Sequence, residues 1–397
     1  MFLESLAIRN YKALRDVHVT EIPKFAMIVG ANGSGKSTFF DVFGFLHDSL
    51  KNNVRKALDS RGRFTEVISR GHEMEAIEFE LHVRLEIAGR PRLVTYRLEI
   101  ENGSDNRPVI RKEFLRYKRG RYGAPYYFLR FEYGSGYAIV NEEDFDKEEE
   151  KLARENHQLE SPDILAIKGL GQFQRFKAAN ALRQMLENWH VSDFHISAAR
   201  GRKEALGAAD HLSVTGDNLA LVAQHLYEHD RPVFDQILQK MRDRVPGIQS
   251  VSPQLTEDGY LILRFHDGSF TNPFLDRYMS DGTIRMFAYL VLLHDPSPHP
   301  LLCIEEPENQ LYPSLMQELA EEFRDYARRG GQVMVSTHSP DLLNAARLEE
   351  VFWLVKRDGA TEIKRARNDE QISRYVQDGD QLGYLWKQGF FEGADPA

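Results

Sequence analysis

Apolar and polar residues alternate differently in successive parts of this chain. Residues 3–9 follow the alternation of a half-exposed strand, and residues 25–29 form a wholly apolar strand that precedes a glycine-rich turn and an apolar helical run. Within residues 76–141, alternating segments recur between turn-forming residues, which predicts an antiparallel β-meander. Helical patterns then cover roughly residues 172–188 and 217–243.

Strand and helix patterns alternate in the last third of the chain. Helical periodicity covers residues 281–293 and about 313–329, and apolar runs at 301–304 and 332–336 are typical of buried strands. Strands that alternate with helices form a mostly parallel sheet covered on both faces. We therefore expect an α/β fold with a mostly parallel sheet flanked by helices, to which the β-meander and a helical insertion are added.

The same patterns predict the domain organisation. Residues 1–75 and 190–397 are expected to form one head domain, residues 76–141 a β-rich subdomain, and residues 142–189 the helical insertion. The acidic run Glu142–Glu155 at the start of this insertion is typical of a solvated helix face.

Composition and charge narrow the class of protein. The 397 residues carry a formal net charge of −9, and no stretch approaches the 18 consecutive apolar residues of a membrane span. The single cysteine, Cys303, excludes an internal disulfide framework and fits a reducing compartment. Because the first residues also lack the basic-then-apolar order of a secretory signal, we expect a cytoplasmic protein without a membrane partner.

A glycine-rich motif follows the apolar strand at residues 25–29. Residues 30–37 read GANGSGKS and satisfy the pattern G-x-x-x-x-G-K-[ST] between a buried strand and a helix. Backbone N–H groups of such a loop, with the positive end of the helix dipole, surround phosphate oxygens. Lys36 would reach the β- and γ-phosphates of ATP, and the Ser37 hydroxyl would be a ligand of Mg²⁺. The predicted ATP-binding residues are Gly30, Ala31, Asn32, Gly33, Ser34, Gly35, Lys36, Ser37 and Thr38.

Carboxylates end the predicted strand at residues 301–304. Since successive strand residues face opposite ways, Glu305 and Glu306 can take separate roles, with Glu305 in the Mg²⁺ shell and Glu306 polarising the attacking water. The next predicted parallel strand leads into His338 at the start of a helix, where an imidazole is placed to sense a γ-phosphate. We therefore predict Glu306 and His338 as catalytic residues.

The segment Ser280-Asp281-Gly282 opens another apolar helical run. By itself this pattern is that of a helix with serine as its N-cap. The N-terminus of such a helix can present hydrogen-bond donors to a phosphate. Spacing alone does not show which nucleotide it would contact.

Together these motifs resemble a known family. The phosphate loop and the segments MSDG (279–282), IEEP (304–307) and STHS (336–339) are similar to the ATP-binding-cassette (ABC) head of soluble proteins, a group that includes SMC, RecF and the ATPase half of OLD nucleases. Within it, the chain most resembles the bacterial AAA-type ATPases of the AAA_21 group. The resemblance is weakest through about residues 90–190, and it implies a P-loop NTPase fold of the ABC-ATPase head type.

In that family the signature segment of one protomer caps the γ-phosphate bound to the other. The resemblance therefore implies a homodimer that sandwiches ATP and Mg²⁺, or a larger oligomer built from it. Carried over by position, Glu306 becomes the catalytic carboxylate and His338 the switch histidine. The trans signature contacts become Ser280, Asp281 and Gly282.

The chain also departs from the family pattern. Glu305 stands where aspartate is commoner, which lengthens the metal-binding arm by one methylene. Asp281 stands where transporters have glycine, which places a carboxylate near an anion. Gln310 and Tyr312 replace the glycine and histidine that are frequent in the subgroup.

The motifs are compatible with more than one biological role. An ABC transporter subunit is disfavoured, because the segment between the phosphate loop and the signature is far longer than a transporter's helical subdomain. We expect a nucleotide-driven switch in DNA maintenance or phage defence that works with a separate effector protein. The alternative is an autonomous RecF-like DNA clamp.

The best candidate for contact with DNA is residues 107–130, where basic and aromatic residues interleave. Basic side chains neutralise phosphates and aromatic rings stack on bases. A twisted β-hairpin with a charged outer face explains the same pattern and is the favoured alternative. The candidate contacts are Arg111, Lys112, Arg116, Lys118, Arg119 and Arg121.

Overall fold

The computed structural model describes residues 1–117, 126–142, 152–201, 203–204 and 209–394. Its strands are β1 (Phe2–Tyr11), β2 (Leu14–Val19), β3 (Phe25–Gly30), β4 (Ile77–Ile87), β5 (Arg90–Asn102), β6 (Pro108–Tyr117), β7 (Tyr126–Glu132), β8 (Ser135–Ile139), β9 (Arg154–Gln158), β10 (Trp189–Ser192), β11 (Lys203–Glu204), β12 (Ile248–Leu255), β13 (Tyr260–Asp267), β14 (Phe274–Leu275), β15 (Leu301–Glu305), β16 (Val333–Thr337), β17 (Val351–Arg357) and β18 (Ala360–Arg365). Its helices are α1 (Lys36–Lys51), α2 (Val54–Asp59), α3 (Phe64–Val67), α4 (Ala166–Leu170), α5 (Lys177–Glu187), α6 (Ile196–Ala199), α7 (Leu219–His229), α8 (Arg231–Arg244), α9 (Asp281–Leu293), α10 (Met316–Arg328), α11 (Pro340–Asn344), α12 (Glu370–Gln377) and α13 (Leu382–Lys387).

The chain forms two compact units. The first contains residues 1–189 and 347–397, and the second contains residues 190–346. The glycine-rich phosphate loop (residues 30–38) therefore belongs to the first unit, whereas the second contains the signature segment (residues 280–282), the acidic strand end (Glu305 and Glu306) and His338. The predicted subdomain boundaries stay a prediction.

An antiparallel sheet of eight strands dominates the first unit. Its order is β2-β1-β4-β5-β6-β7-β8-β9, and every neighbouring pair is antiparallel. Alternate residues of β4 are buried, so one face of the strand packs on the core while the other meets solvent. Ala88 and Gly89 join β4 to β5 in a tight hairpin, where their positive φ angles of 52° and 72° match the strand twist. The sheet confirms the predicted meander and extends it by β1, β2 and β9.

Other strands of the first unit position the glycine-rich loop. β3 is buried along its whole length and pairs in parallel with β17, with Gly30 opposite Leu354. β17 also pairs with β18 in antiparallel orientation. α1 follows the loop and buries Phe39, Phe40 and Phe43. Both ends of the loop are therefore anchored in apolar structure.

In the second unit, β15 and β16 are parallel, with Glu305 opposite Ser336 at their ends. A smaller antiparallel sheet has the order β11-β13-β12, and β14 pairs with β13. α9 is apolar on nearly all sides and is buried along most of its length. Polar side chains therefore lie at the carboxyl ends of β15 and β16 and at the start of α9.

A buried ion cluster joins the helices of the second unit. Glu322 on α10 is 5% exposed and accepts hydrogen bonds from Lys240, from Arg244 at 2.6 Å and from His294 at 3.1 Å. Burial alone would raise the pKa of Glu322, but these hydrogen bonds outweigh burial and lower that pKa to about 2. The cluster thus favours an ionised carboxylate that fastens α10 to α8 and to the end of α9.

Most of the predicted elements in the last third are confirmed. The helix at 281–293 is α9, and the strands at 301–304 and 332–336 are β15 and β16. The helix predicted at 313–329 opens with a 3-10 turn, Pro313–Leu315, before α10 begins. In the part of the chain that the structure describes, no helix is both long and apolar enough to cross a membrane.

The interpretation of the acidic run as a solvated face is wrong for Glu142. This residue is 3% exposed and its Oε2 accepts a hydrogen bond from the backbone N–H of Ala178 at 2.7 Å, in the first turn of α5. Burial raises the pKa of Glu142 to about 8. The charge pattern along the sequence did not reveal that Glu142 is buried, because its partner lies in a later helix.

Candidate functional site

Glycine is required at both ends of the phosphate loop. A Cβ at Gly30 would lie 2.6 Å from Ser34 Oγ and 2.7 Å from the carbonyl oxygen of Leu354. A Cβ at Gly35 would overlap the hydroxyl of Thr361, and Gly35 also has a φ of 106°. Leu354 belongs to β17 and Thr361 to β18, so these two neighbouring strands leave no room for a side chain at Gly30 or Gly35. The loop therefore keeps its path only with glycine at both positions.

The polar groups of the loop are partly engaged with the loop itself. Lys36 is 7% exposed, and its Nζ donates to the carbonyl oxygens of Gly30 at 2.7 Å and Ala31 at 3.1 Å. The Thr361 hydroxyl donates to the carbonyl oxygen of Ser34 at 2.8 Å. Of the other predicted ATP-binding residues, Asn32, Gly33 and Ser37 are exposed and Thr38 is half-buried. The Lys36 ammonium is thus held by carbonyl oxygens of the loop, and phosphate oxygens would compete with them for it.

The two carboxylate residues at the end of β15 differ in exposure and in backbone conformation. Glu305 is exposed, whereas Glu306 has a φ of 45°, a value that non-glycine residues rarely adopt. Glu306 Oε1 lies 3.2 Å from Nε2 of His338, and Oε2 accepts a hydrogen bond from Nδ2 of Asn309 at 3.0 Å. The side chains of Glu306 and His338 are 39% and 31% exposed, so a water molecule can reach them. The structure brings the predicted catalytic pair into contact.

Glu308 is a residue that the sequence analysis missed. Its Oε1 accepts hydrogen bonds from the Thr337 hydroxyl at 2.6 Å and from the backbone N–H groups of His338 at 2.9 Å and Ser339 at 3.1 Å. Burial raises the pKa of Glu308 above its ordinary value, although these hydrogen bonds oppose the rise. Glu308 therefore holds the backbone that carries the His338 ring. Its signal in the sequence was a third carboxylate two positions after Glu306.

The signature segment begins α9 as predicted for an N-capped helix. Ser280 is exposed, and its Oγ accepts a hydrogen bond from the Thr283 backbone N–H at 3.2 Å. The Asp281 carboxylate lies 2.5 Å from Nη2 of Arg200 and 3.3 Å from Nε2 of Gln310. The carboxylate that stands in place of glycine is therefore paired with a cation, which reduces its repulsion of an anion.

Gly282 makes a close approach possible inside the second unit. A Cβ at this position would lie 2.5 Å from the carbonyl oxygen of Gln310, whose own φ is 65°. Only glycine lets the first turn of α9 lie against the turn that follows the acidic strand end. The signature segment and the Glu306–Gln310 turn are consequently one packed structure.

The structure describes only part of the predicted nucleic-acid contact. Arg111 pairs with Glu99 at 2.8 Å, and the cationic groups of Lys112 and Arg116 lie 5.7 Å and 5.1 Å from the ring centre of Phe114. These interactions are those of a charged sheet face. Lys118, Arg119 and Arg121 lie outside the described residues.

The donor chemistry of these residues fits ATP and Mg²⁺. Gly33, with a φ of 77°, faces open space, which leaves room above the loop for a phosphate group. The exposed hydroxyl of Ser37 and the exposed carboxylate of Glu305 are oxygen ligands of the kind that Mg²⁺ prefers. Lys36 supplies the cation that a triphosphate needs.

The family model of the AAA_21 group, described as "AAA domain, putative AbiEii toxin, Type IV TA system", matches residues 25–344. This chain belongs to the AAA_21 family. The match includes the phosphate loop, the signature segment, the acidic strand end and His338. Among curated proteins, none matches this AAA_21 chain significantly.

Solved structures with a similar fold are SMC heads. The crystal structure of the SmcHead bound to the C-winged helix domain of ScpA is 14% identical, has a TM-score of 0.56 and covers 92% of this chain and 98% of its own. The SMC head domain from Thermotoga maritima is 14% identical with a TM-score of 0.46, covering 92% and 99%. An Smc head from Pyrococcus furiosus, bound to the C-terminal domain of ScpA, is 14% identical with a TM-score of 0.48, covering 95% and 99%. The first of these, with the family match, confirms the P-loop NTPase fold of ABC-ATPase head type.

Proposed function

We propose that this AAA_21 protein binds MgATP and hydrolyses it. The observation that carries the proposal is the contact of 3.2 Å between Glu306 and His338, at the end of a buried strand and open to solvent. In a carboxylate–imidazole pair of this kind the carboxylate can take a proton from an attacking water. The phosphate loop and its Lys36 support the choice of a nucleoside triphosphate as the substrate.

Each residue has a separate task in this proposal. Lys36 and the loop N–H groups would bind the phosphates, and Ser37 and Glu305 would each offer an oxygen ligand to Mg²⁺, which would neutralise phosphate charge. Glu306 orients and deprotonates the attacking water. His338 contacts the γ-phosphate, and its position depends on the backbone hydrogen bonds to Glu308.

We further propose a homodimer in which Ser280, Asp281 and Gly282 of one copy contact the nucleotide bound to the other. The exposed Ser280 at the N-terminus of a long buried helix supports this, because such an N-terminus attracts an anion. The pairing of Asp281 with Arg200 at 2.5 Å supports it as well, since an uncompensated carboxylate would repel a phosphate.

The dimer can be tested by mass measurement in solution. The Glu306→Gln protein with MgATP is expected to form a stable dimer, because bound ATP is not consumed. Adding Ser280→Arg should leave the protein monomeric while ATP still binds, since an arginine side chain would fill the interface. Ser269→Arg, at another exposed serine of the second unit, is the control and should not change dimerisation. A dimer that survives Ser280→Arg would contradict the proposed interface.

For the biological role, we propose a cytoplasmic, nucleotide-driven switch in DNA maintenance or phage defence that controls a separate effector. The description of the family names a putative toxin and a toxin–antitoxin system, which supports a role in a defence system of that kind. Affinity purification of tagged Glu306→Gln with MgATP from its native host tests the proposal. A stoichiometric nuclease or toxin is the expected result, and nucleic acid without a protein partner would favour the RecF-like clamp.

The pairing of Arg111 with Glu99 supports the charged-hairpin interpretation over a DNA-binding face. Charge reversal of Arg116, Lys118 and Arg119 together should therefore leave DNA affinity unchanged at several salt concentrations. A salt-dependent affinity that disappears in this variant would instead identify the stretch as a DNA contact.

A further inference from the structure

A cluster of metal-ligating side chains lies in the second unit, outside the residues to which a function is assigned above. His211 lies in the loop before α7, Asp295 follows the end of α9, and His299 precedes β15. One ligand atom from each of these side chains lies within 4.8 Å of the others. Imidazole nitrogens and a carboxylate oxygen are the ligands that zinc and related divalent ions take in proteins.

Burial makes this cluster unlike a surface ion pair. Asp295 is 4% exposed and His299 is 8% exposed. Oδ2 of Asp295 lies 2.6 Å from Nδ1 of His211, and Oδ1 accepts a hydrogen bond from the Ser297 backbone N–H at 2.8 Å. The buried imidazole of His299 lies beside this ion pair, and its ring centre is 5.1 Å from that of His211. A bound cation would account for all three side chains.

We propose that His211, Asp295 and His299 bind one divalent transition-metal ion of the zinc class. In a tetrahedral zinc site with bonds of about 2.0–2.1 Å, ligand atoms lie about 3.3 Å apart. A separation at the 4.8 Å limit would therefore close by about 1.5 Å, and the Asp295–His211 pair at 2.6 Å would open by about 0.7 Å. His211 can make this movement, since its side chain is 41% exposed and lies on a loop.

Neighbouring groups hold the backbone of each ligand. The backbone N–H of His299 donates to Tyr326 Oη at 2.7 Å, and Asn218 Nδ2 donates to the carbonyl oxygen of His211 at 2.9 Å. Arg329 donates to the carbonyl oxygen of Asp295 at 2.9 Å. These contacts fix the backbone positions from which the three ligand side chains extend.

The position of the site suggests its task. Asp295 lies just beyond the end of α9, the helix that begins with the signature segment. His299 lies just before β15, the strand that ends at Glu305. An ion shared by these residues would fasten the far ends of both elements, and the three protein ligands would leave a fourth coordination position for water.

Zinc binding to the full chain tests the proposal. The purified protein is stripped with a chelator and titrated with Zn²⁺ by calorimetry, and Co²⁺ is used in parallel for its visible absorption. One ion per chain is expected, with a Kd at least 100-fold weaker in His211→Ala. This variant is chosen because His211 is the exposed member and its loss should not prevent folding. His195→Ala is the matched control, since His195 is exposed and lies 3.3 Å from the carboxylate of Asp193.

Other outcomes would overturn the proposal. One is a native chain that does not bind Zn²⁺ at micromolar concentration, and another is His211→Ala binding as tightly as the native chain. A third concerns His225 and His229 on α7, whose rings stack at 4.7 Å. If replacing both by alanine removes zinc binding while His211→Ala does not, the ion belongs to that pair and not to the proposed cluster.

Discussion

The phosphate loop and the acidic strand end obtain their geometry in different ways. Residues 30–38 are consecutive, and Lys36 returns to carbonyl oxygens five and six positions earlier in the chain. The residues of the acidic strand end instead contact partners that are distant in the sequence. Glu308 holds residues 29 to 31 positions away, and Glu306 contacts His338, which directly follows the next strand, β16.

This difference determines how each region should respond to substitution. A loop built from consecutive residues depends on local backbone conformation and on the few groups that crowd it. A site built across strands depends on side-chain contacts, so its parts can be removed one at a time without changing the fold.

Lys36→Ala should have the largest effect, because it removes the cation that binds the phosphates. We expect ATP affinity to fall by about 100-fold or more and turnover to fall with it. Equilibrium binding of a fluorescent ATP analogue measures this. Lys51→Ala, at the other end of α1, is the control, and normal nucleotide affinity in Lys36→Ala would contradict the assignment of the loop.

Glu306→Gln should separate binding from chemistry. Glutamine keeps the shape of the side chain but cannot take a proton, so turnover should fall by about 100- to 1,000-fold while ATP affinity changes little. Phosphate release under saturating ATP measures turnover. The control is Glu318→Gln on the exposed side of α10. Turnover at the native rate would exclude Glu306 as the base.

Gly35→Ala and Gly33→Ala test the local character of the loop. At Gly35 an added methyl group meets Thr361 and the φ is 106°, so the free energy of unfolding should fall by about 2–4 kcal/mol. At Gly33 the methyl group meets open space, and the positive φ alone should cost about 1–2 kcal/mol. Urea unfolding measures both. Equal losses would mean that the Thr361 contact does not constrain the loop.

Glu308→Ala should act on catalysis through the position of His338. Removing the acceptor of the backbone N–H groups of His338 and Ser339 should lower turnover by about 10-fold, with ATP affinity retained. Glu308→Gln keeps one acceptor oxygen and should recover part of the loss. If Glu308→Ala and Glu308→Gln lose the same amount of turnover, the carboxylate has a direct chemical role.

The pH dependence of stability should show the smallest effect. Because burial raises the pKa of Glu308 in the folded chain, the neutral form is favoured by folding. The stability that this group contributes is complete below its ordinary pKa and is lost as pH rises through the raised value. The free energy of unfolding of the native chain should therefore decrease more across that pH window than the free energy of unfolding of Glu308→Gln. Parallel curves would show that Glu308 ionises normally.

The sequence by itself determined the nucleotide-binding motif and the type of most elements in the last third of the chain. Gly30, Lys36 and Ser37 could be recognised because their geometry depends on neighbours within one strand, one turn and one helix. The helix at 281–293 and the strands around it were predictable for the same reason, since hydrophobic periodicity reports which side of an element is buried. Glu305 and Glu306 were found because they end a strand.

Only the tertiary structure decided the partners of these residues. Thr361 reaches the loop from a strand more than 300 positions later, and Glu308 reaches the backbone of His338 from a different strand end. Arg200 neutralises Asp281, and Glu142 is buried against α5 although its own neighbours are acidic. The physical reason is the same in each case: a charge or hydroxyl is defined by what packing brings within hydrogen-bond distance, and sequence neighbours carry no information about that.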